Sequence, residues 1–372
     1  MHYDGPRMSA FRIDQAVPSF SIGDAIGNHA LALRGILRRR GVTSEIFTRA
    51  GHPALERESR PWSAYAGVDA PGNVCLFHFS IGTPVAEDFA HLRARRVLIY
   101  HNITPPEFAR GVNPMMEREC RLGREQLRRL AGCTELGITV SEYNRRELEE
   151  AGFARTAVVP IIVDFSDHDR QEPAPDVLSR WRDGRTNILH VGRFAPNKRL
   201  EDLVRAFHCY RRIDPHSRLL LVGSSVGLEN YAAGVRDLAL RLGNPDVHCL
   251  GHVSFRQLCT FYRIADLYLT LSEHEGFCVP LLEAMHFGVP IVARAAGAVP
   301  ETLGAAGLTV RGAPPEEVAE LMRLATTDGE VRQRLLAAGR ARLGDFAPGK
   351  IERDFWELLG REGFLTRDRI PV

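Results

Sequence analysis

The chain has little lysine: of its 372 residues only Lys198 and Lys350 are lysine, and every other basic position is arginine. It has little net charge, since 48 Lys plus Arg against 46 Asp plus Glu leave +2. A nucleic-acid binder should carry a strongly basic face, so this balance counts against one. It lacks paired cysteines. The seven stand at 75, 120, 133, 209, 249, 259 and 278, an odd count with no CxxC spacing. That argues against metal clusters and disulfide frameworks and for a reducing, cytoplasmic setting. No stretch approaches the ~18 uncharged apolar residues of a membrane span. The opening MHYDGPRMSA has no apolar signal core. What remains is ordinary for a globular enzyme, with 44% hydrophobic and 25% charged residues, and the length favours two domains.

Short apolar runs alternate with amphipathic helical runs. In the first half Phe11–Val17, Val74–Phe77, Val97–Tyr100 and Gly137–Val140 read as strands, with helices over Ala25–Arg40, Met115–Leu130 and Arg145–Ala151. In the second half the strands are Ile188–Val191, Leu219–Val222, Val247–Leu250, Leu267–Leu271 and Ile291–Ala293, with helices between them. This alternation predicts an α/β protein with parallel sheets covered on both faces, and the strand count favours two doubly wound, Rossmann-like domains. The boundary falls at DFSDHDRQEPAPDVLSRWRDGR, which is polar, Pro-bearing and without clear period. The expected organisation is an N-terminal domain 1–163, a linker 164–185, a C-terminal domain 186–346 and a segment 347–372 whose helix returns to the first domain. Asp167-His168-Asp169 has the Asp-x-Asp form of some cation sites, but it lies in that linker with no strand end before it, so no metal is expected.

Four motifs follow strand candidates. In SEHEGFCVPLLE, Glu275 sits in a loop and Glu283 is expected in the first turn of a helix starting near Pro280. The backbone amides from Gly276 to Leu281 suit an anion or a polar sugar rim. In VGRFAPNKRL, Gly192 allows a tight turn, and Arg193 and Lys198 place two cations where a diphosphate would sit. In SIGDAIGN, Gly23 and Gly27 permit close backbone approach, although the pattern is not GxGxxG. In YHNITPPEF, His101 stands at a strand's carboxyl end. Each has a plainer alternative: a solvated glutamate, a basic surface loop, a simple turn, a structural histidine.

Taken together and in this order, the motifs resemble the family-4 (group 1) retaining glycosyltransferases of the GT-B fold. The paired Glu275 and Glu283, the Gly192-Arg193…Lys198 loop, the Gly23–Gly27 loop and His101 carry the resemblance, over about residues 11 to 360. YHNITPPEF, SEYNRREL and SEHEGFCVPLLEAM are similar to a bacterial polysaccharide or O-antigen branch. The resemblance implies that Arg193 and Lys198 bind pyrophosphate, Glu283 the ribose, Glu275 the donor-sugar hydroxyls, and the amides from Gly276 through Phe277, Cys278 and Val279 to Leu281 the sugar and phosphate. His101 would meet the donor sugar near the scissile bond, Val253 the base, and Asp24 the acceptor side.

The implied reaction moves a hexosyl group from GDP-mannose or a UDP-sugar to a hydroxyl of a glycan, lipid-linked or small-molecule acceptor, with retention, without cofactor or metal. Two other readings stay open: a nucleotide-sugar 2-epimerase, and a non-catalytic sugar-nucleotide-binding protein. Arg38–Arg40 and the ERECRLGREQLRR stretch leave open a peripheral contact with the inner membrane face.

Overall fold

A computed structural model describes residues 11–21 and 23–365. The opening decapeptide read for a signal core and the last residues of the 347–372 segment lie outside the described residues. The first sheet contains β1 (Ile13–Phe20), β2 (Ile46–Gly51), β3 (Arg60–Pro61), β4 (Val74–Phe79), β5 (Arg95–Tyr100), β6 (Leu136–Thr139) and β7 (Thr156–Val158). The second contains β8 (Thr186–Val191), β9 (Ser217–Val222), β10 (Val247–Gly251), β11 (Leu267–Thr270), β12 (Ile291–Arg294) and β13 (Leu308–Val310). Their orders are β3-β2-β1-β4-β5-β6-β7 and β10-β9-β8-β11-β12-β13, and every pairing is parallel. Strands such as VCLFHF (β4) and SRLLLV (β9) are buried along their whole length, as a sheet covered by helices on both faces requires. These are the two Rossmann-like domains of a GT-B fold.

The strand orders fix where a ligand can sit. In the first sheet the chain winds outward through β2 and β3, then crosses back to place β4 on the other side of β1. In the second it winds through β9 and β10 and crosses back to place β11 beside β8. At each such switch point the loops leaving two neighbouring strands diverge and open a crevice at their carboxyl ends. The loops after β1 and β8 carry Gly23 and Arg193, and the loop after β11 carries Glu275.

Segment 164–185 is more ordered than its composition suggested. It holds helices Ser166–Arg170 and Pro175–Trp181 and is fastened to the C-terminal domain. Val177 and Trp181 are buried, and the Arg218 guanidinium stands over the Trp181 ring at 5.0 Å while donating to its carbonyl. The Ala174 N–H donates to Thr260 Oγ1 at 2.8 Å. Helix Pro348–Arg361 buries Ile351, Phe355, Leu358 and Leu359, and its Glu352 pairs with Arg39 at 2.7 Å and Arg40 at 3.6 Å. Arg40 also lies over Trp356, and Arg95 over Phe364. In the Arg38–Arg40 cluster considered above for membrane contact, Arg39 and Arg40 hold this helix against the first domain, while Arg38 donates to the Ser44 carbonyl at 2.9 Å. No helix among the described residues is long and apolar enough to cross a membrane.

Candidate active site

The two loops from the C-terminal switch point meet. Lys198 Nζ donates to Glu275 Oε1 at 2.6 Å, with side chains only 21% and 10% exposed. Asn197, the residue before the lysine, donates through Nδ2 to the His274 carbonyl at 3.1 Å, and the Glu273 N–H returns a bond to the Asn197 carbonyl at 2.8 Å. The loops are thus stitched on both sides of the ion pair. Burial pulls against the Lys198 ammonium, but the adjacent Glu275 carboxylate outweighs it and holds the lysine above its ordinary range. Gly223 shows how tightly the strand ends pack: its φ is +152°, and a Cβ there would lie 1.8 Å from the Gly192 carbonyl oxygen. Arg193 is exposed, and its Nη2 donates to the Val226 carbonyl at 3.1 Å.

Helix Val279–His286 begins one residue earlier than expected, behind Cys278 in the left-handed region (φ +73°). Glu283 is consequently its fifth residue and lies beyond the first turn, so the plain helix-dipole explanation of this glutamate loses its basis. Glu283 Oε2 accepts from Tyr262 Oη at 2.7 Å, and its Oε1 lies 3.5 Å from His168 Nε2. Burial, with Glu283 beside it, pushes the Tyr262 phenol up and keeps it a donor. His168 belongs to the Asp-x-Asp triplet. Its flanking acids do not converge: Asp167 pairs with Arg170, and Asp169 accepts from His286 at 2.8 Å. Phe277 and Leu281 have buried side chains, so only their backbone can meet a ligand. Burial pushes the Cys278 thiol up, which removes it as a nucleophile at neutral pH.

From the first domain, Asp24 caps helix Ala25–Arg39 by accepting from the Gly27 N–H at 3.2 Å. Gly27 lies in the first helical turn, where a Cβ would meet the Phe20 ring at 3.1 Å; its smallness serves helix-strand packing. Gly23 has φ +73° with open space around it. His101 follows β5, and the next residue, Asn102, is left-handed (φ +80°), held there by bonds from its Nδ2 to Asn144 Oδ1 at 2.9 Å and Glu147 Oε2 at 2.8 Å.

The domains touch at this point. A Cβ on Gly276 would fall 2.6 Å from Asn102 Cβ and 2.9 Å from the His101 carbonyl oxygen. Ser141 Oγ donates to the Gly276 carbonyl at 2.8 Å. The carboxylate of Glu301 accepts from the N–H groups of Glu142 and Tyr143 at 2.7 and 3.2 Å, so an acid of one domain caps a helix of the other. Beside these contacts a cavity of about 890 Å³ opens between the sheets, lined by Gly23, Asp24 and His78 on one side and by Gly192, Arg193 and Val253 on the other. Lys198, Glu275, Glu283 and His101 are not among its lining residues. Sequence reading missed Asn197, Tyr262, His168 and Glu301. A polar residue beside a motif (Asn197 before Lys198) was the one available signal.

The fold is a GT-B architecture shared with solved structures. Among them is an Anabaena protein, HepE, in complex with UDP-glucose; the two superpose with a TM-score of 0.74 at 20% identity, covering 94% of this chain and 99% of that one. In sequence, residues 178–342 match the family described as glycosyl transferases group 1, and the chain resembles that family. It is 26% identical over 252 residues to a GDP-mannose-dependent monoacylated alpha-(1-6)-phosphatidylinositol monomannoside mannosyltransferase of Corynebacterium glutamicum, covering 64% of this chain and 63% of that protein. It is 30% identical over 234 residues to the GDP-mannose-dependent alpha-(1-6)-phosphatidylinositol monomannoside mannosyltransferase of Mycobacterium tuberculosis, covering 59% and 60%. The chain thus spans about six-tenths of the length of these curated relatives.

Proposed function

We propose that the protein is a retaining, metal-independent glycosyltransferase that moves a hexosyl group from a nucleoside-diphosphate sugar to an acceptor hydroxyl. The observation that carries this reading is the Lys198–Glu275 pair, built from two loops at a switch point that opens toward the other domain. A diphosphate entering there competes with Glu275 for the ammonium. The lysine then neutralises phosphate oxygen while the freed carboxylate accepts from sugar hydroxyls. Arg193, exposed on the cavity wall, adds a second cation. As the bond from the anomeric carbon to the phosphate oxygen breaks, negative charge grows on the diphosphate and both cations stabilise it more than in the ground state. The acceptor oxygen attacks the same face of the oxocarbenium-like sugar, and its proton passes to the departing phosphate oxygen. Catalysis is chiefly positioning and charge stabilisation.

Glu283, oriented by Tyr262, is assigned to the ribose, and His101 to the donor sugar. Val253, on the cavity wall, is assigned to the base. The donor is GDP-mannose or a UDP-sugar: the names of the mannosyltransferase relatives support the first, and the UDP-glucose complex of the structural neighbour keeps the second in the test. The acceptor is a glycan, a lipid-linked sugar or a small hydroxylated molecule, and the setting is cytoplasmic or peripheral at the inner membrane face. A thermal-shift screen of GDP-, UDP- and dTDP-sugars tests the donor site, because a ligand bound only by the native state raises its melting temperature. A rise with one base family is expected; no rise with any of them would refute a nucleotide-sugar site.

A further inference from the structure

Behind His101 lies a chain of buried polar side chains that crosses three neighbouring strands. Gln15 (β1) and His78 (β4) are fully buried, and His101 follows β5. Gln15 Nε2 lies 2.9 Å from the Ala30 carbonyl oxygen. A carbonyl oxygen only accepts, so the amide NH₂ faces Ala30 and Oε1 faces the other way. That Oε1 is 2.8 Å from His78 Nε2, which must therefore carry the proton. Burial, with the other imidazoles close by, holds His78 and His101 well below their ordinary range, so both rings are neutral near pH 7. A neutral imidazole has one N–H; with it on Nε2, His78 Nδ1 is a bare acceptor. It lies 2.9 Å from His101 Nε2, and the second ring must donate from that nitrogen. The proton of each ring is thus fixed from Ala30 outward. His101 is left with one unused valence, the lone pair of Nδ1, which is buried and without a partner.

We propose that Gln15 and His78 are positioning residues that lock His101 in its Nε2–H form, so that the one ring nitrogen left for a ligand is an acceptor, matched to a sugar O–H. This rests on the proposed donor site for the sugar, but the locking itself does not. The third nearby imidazole, His29, packs edge-on against both rings at centroid separations of 5.8 and 5.4 Å, and neither of its nitrogens has a partner. The three histidines are close enough to suggest a cation site. The geometry favours the relay: His78 and His101 are nearly coplanar (14°) with centroids 5.2 Å apart, the arrangement of two rings end to end across one N–H···N bond. Their lone pair and proton face each other and do not converge on a third point.

The experiment is long-range ¹H–¹⁵N spectroscopy of full-length, ¹⁵N-histidine-labelled protein at pH 7, for wild type, His78→Asn, His78→Leu and Gln15→Leu, beside release of GDP or UDP from GDP-mannose and UDP-glucose with a glycan, a lipid-linked sugar and simple alcohols as trial acceptors. In wild type both rings should show the neutral Nε2–H pattern. His78→Leu should leave His101 as a mixture of forms and lower kcat by about 100-fold, the order expected for a misplaced group, with KM for the donor little changed. His78→Asn sets an amide oxygen where Nδ1 stood and should restore the Nε2–H pattern of His101 and kcat. An Nδ1–H pattern at either ring in wild type would overturn the proposal, as would stoichiometric Zn²⁺ shifting all three rings. Wild-type kcat in His78→Leu, despite a changed pattern, would also overturn it. Should wild type release neither nucleotide, the transfer reading fails while the spectra still decide whether the lock exists; should His78→Leu not fold, the wild-type and Asn spectra decide.

Discussion

Removing Lys198 or Glu275 should separate structural from catalytic worth. Both side chains are less than a quarter exposed, and they share one 2.6 Å hydrogen bond. Deleting one partner of a fully buried pair costs ~3–5 kcal/mol, because a charge stays behind unpaired. With Lys198 21% exposed, some water reaches the survivor, and about 2–4 kcal/mol is expected for Lys198→Ala or Glu275→Gln. The pair Lys198→Met with Glu275→Leu leaves no orphan charge and should recover most of that loss. Turnover should behave differently. If the two groups hold different parts of one donor, each single variant loses ~10²-fold in kcat and the double variant recovers none of it. Lys198→Arg should rescue poorly, since a planar fork does not replace a compact ammonium. Arg193→Ala, an exposed site, should leave the melting curve within ~0.5 kcal/mol while lowering kcat by a similar ~10²-fold. The assays are denaturant melts and steady-state release of nucleotide from the donor found by thermal shift. Near-wild-type kcat in Lys198→Ala and Arg193→Ala would refute the catalytic reading and leave Lys198–Glu275 as a loop staple.

Acid should destabilise the fold early. Burial lowers His29, His190 and His274 to about 4, against about 6.5 in the unfolded chain. The unfolded state therefore binds more protons between those values, and stability is full above pH ~6.5 and falls by up to ~1.4 kcal/mol per pH unit for each histidine toward pH ~4. Equal denaturation midpoints at pH 7 and pH 5 would contradict this. Gly276→Ala should weaken domain contact, because its Cβ would meet Asn102 and the His101 carbonyl at under 3 Å; small-angle scattering should show a more open particle and kinetics a lower kcat, and an unchanged profile in both would refute it. If Arg193 and Lys198 supply the positive field, activity should survive EDTA; loss on chelation restored by Mg²⁺ or Mn²⁺ would show otherwise.

Most central strands were legible because burial on both faces forces continuous apolar runs, as in VCLFHF and SRLLLV; β2 (IFTRAG) was missed because its second half is exposed and breaks the run. Edge strands Arg60–Pro61, Thr156–Val158 and Leu308–Val310 were not, being two or three residues long and too short for any period. The polar composition of 164–185 hid Val177 and Trp181, whose spacing of four was the helical signal. Each half of the Lys198–Glu275 pair could be named from its own loop, but their contact spans 77 positions and is a product of strand order. Glu283 was read through a helix start that lies one residue off, which moved it out of the first turn. Gln15 and His78 were passed over because single polar residues in apolar strands carry no motif. Their burial, and hence their need for partners, appears only when β1, β4 and β5 lie side by side.

The central claim is transfer with retention from a nucleotide sugar. Its most direct test is ¹H NMR of the glycoside formed from GDP-α-mannose or UDP-α-glucose, in EDTA, with phosphatidylinositol monomannoside, inositol phosphate and simple alcohols as trial acceptors. The account predicts nucleoside diphosphate released in step with an α-configured product. A β-configured product, or a donor that is epimerised or bound without any transfer, would contradict it.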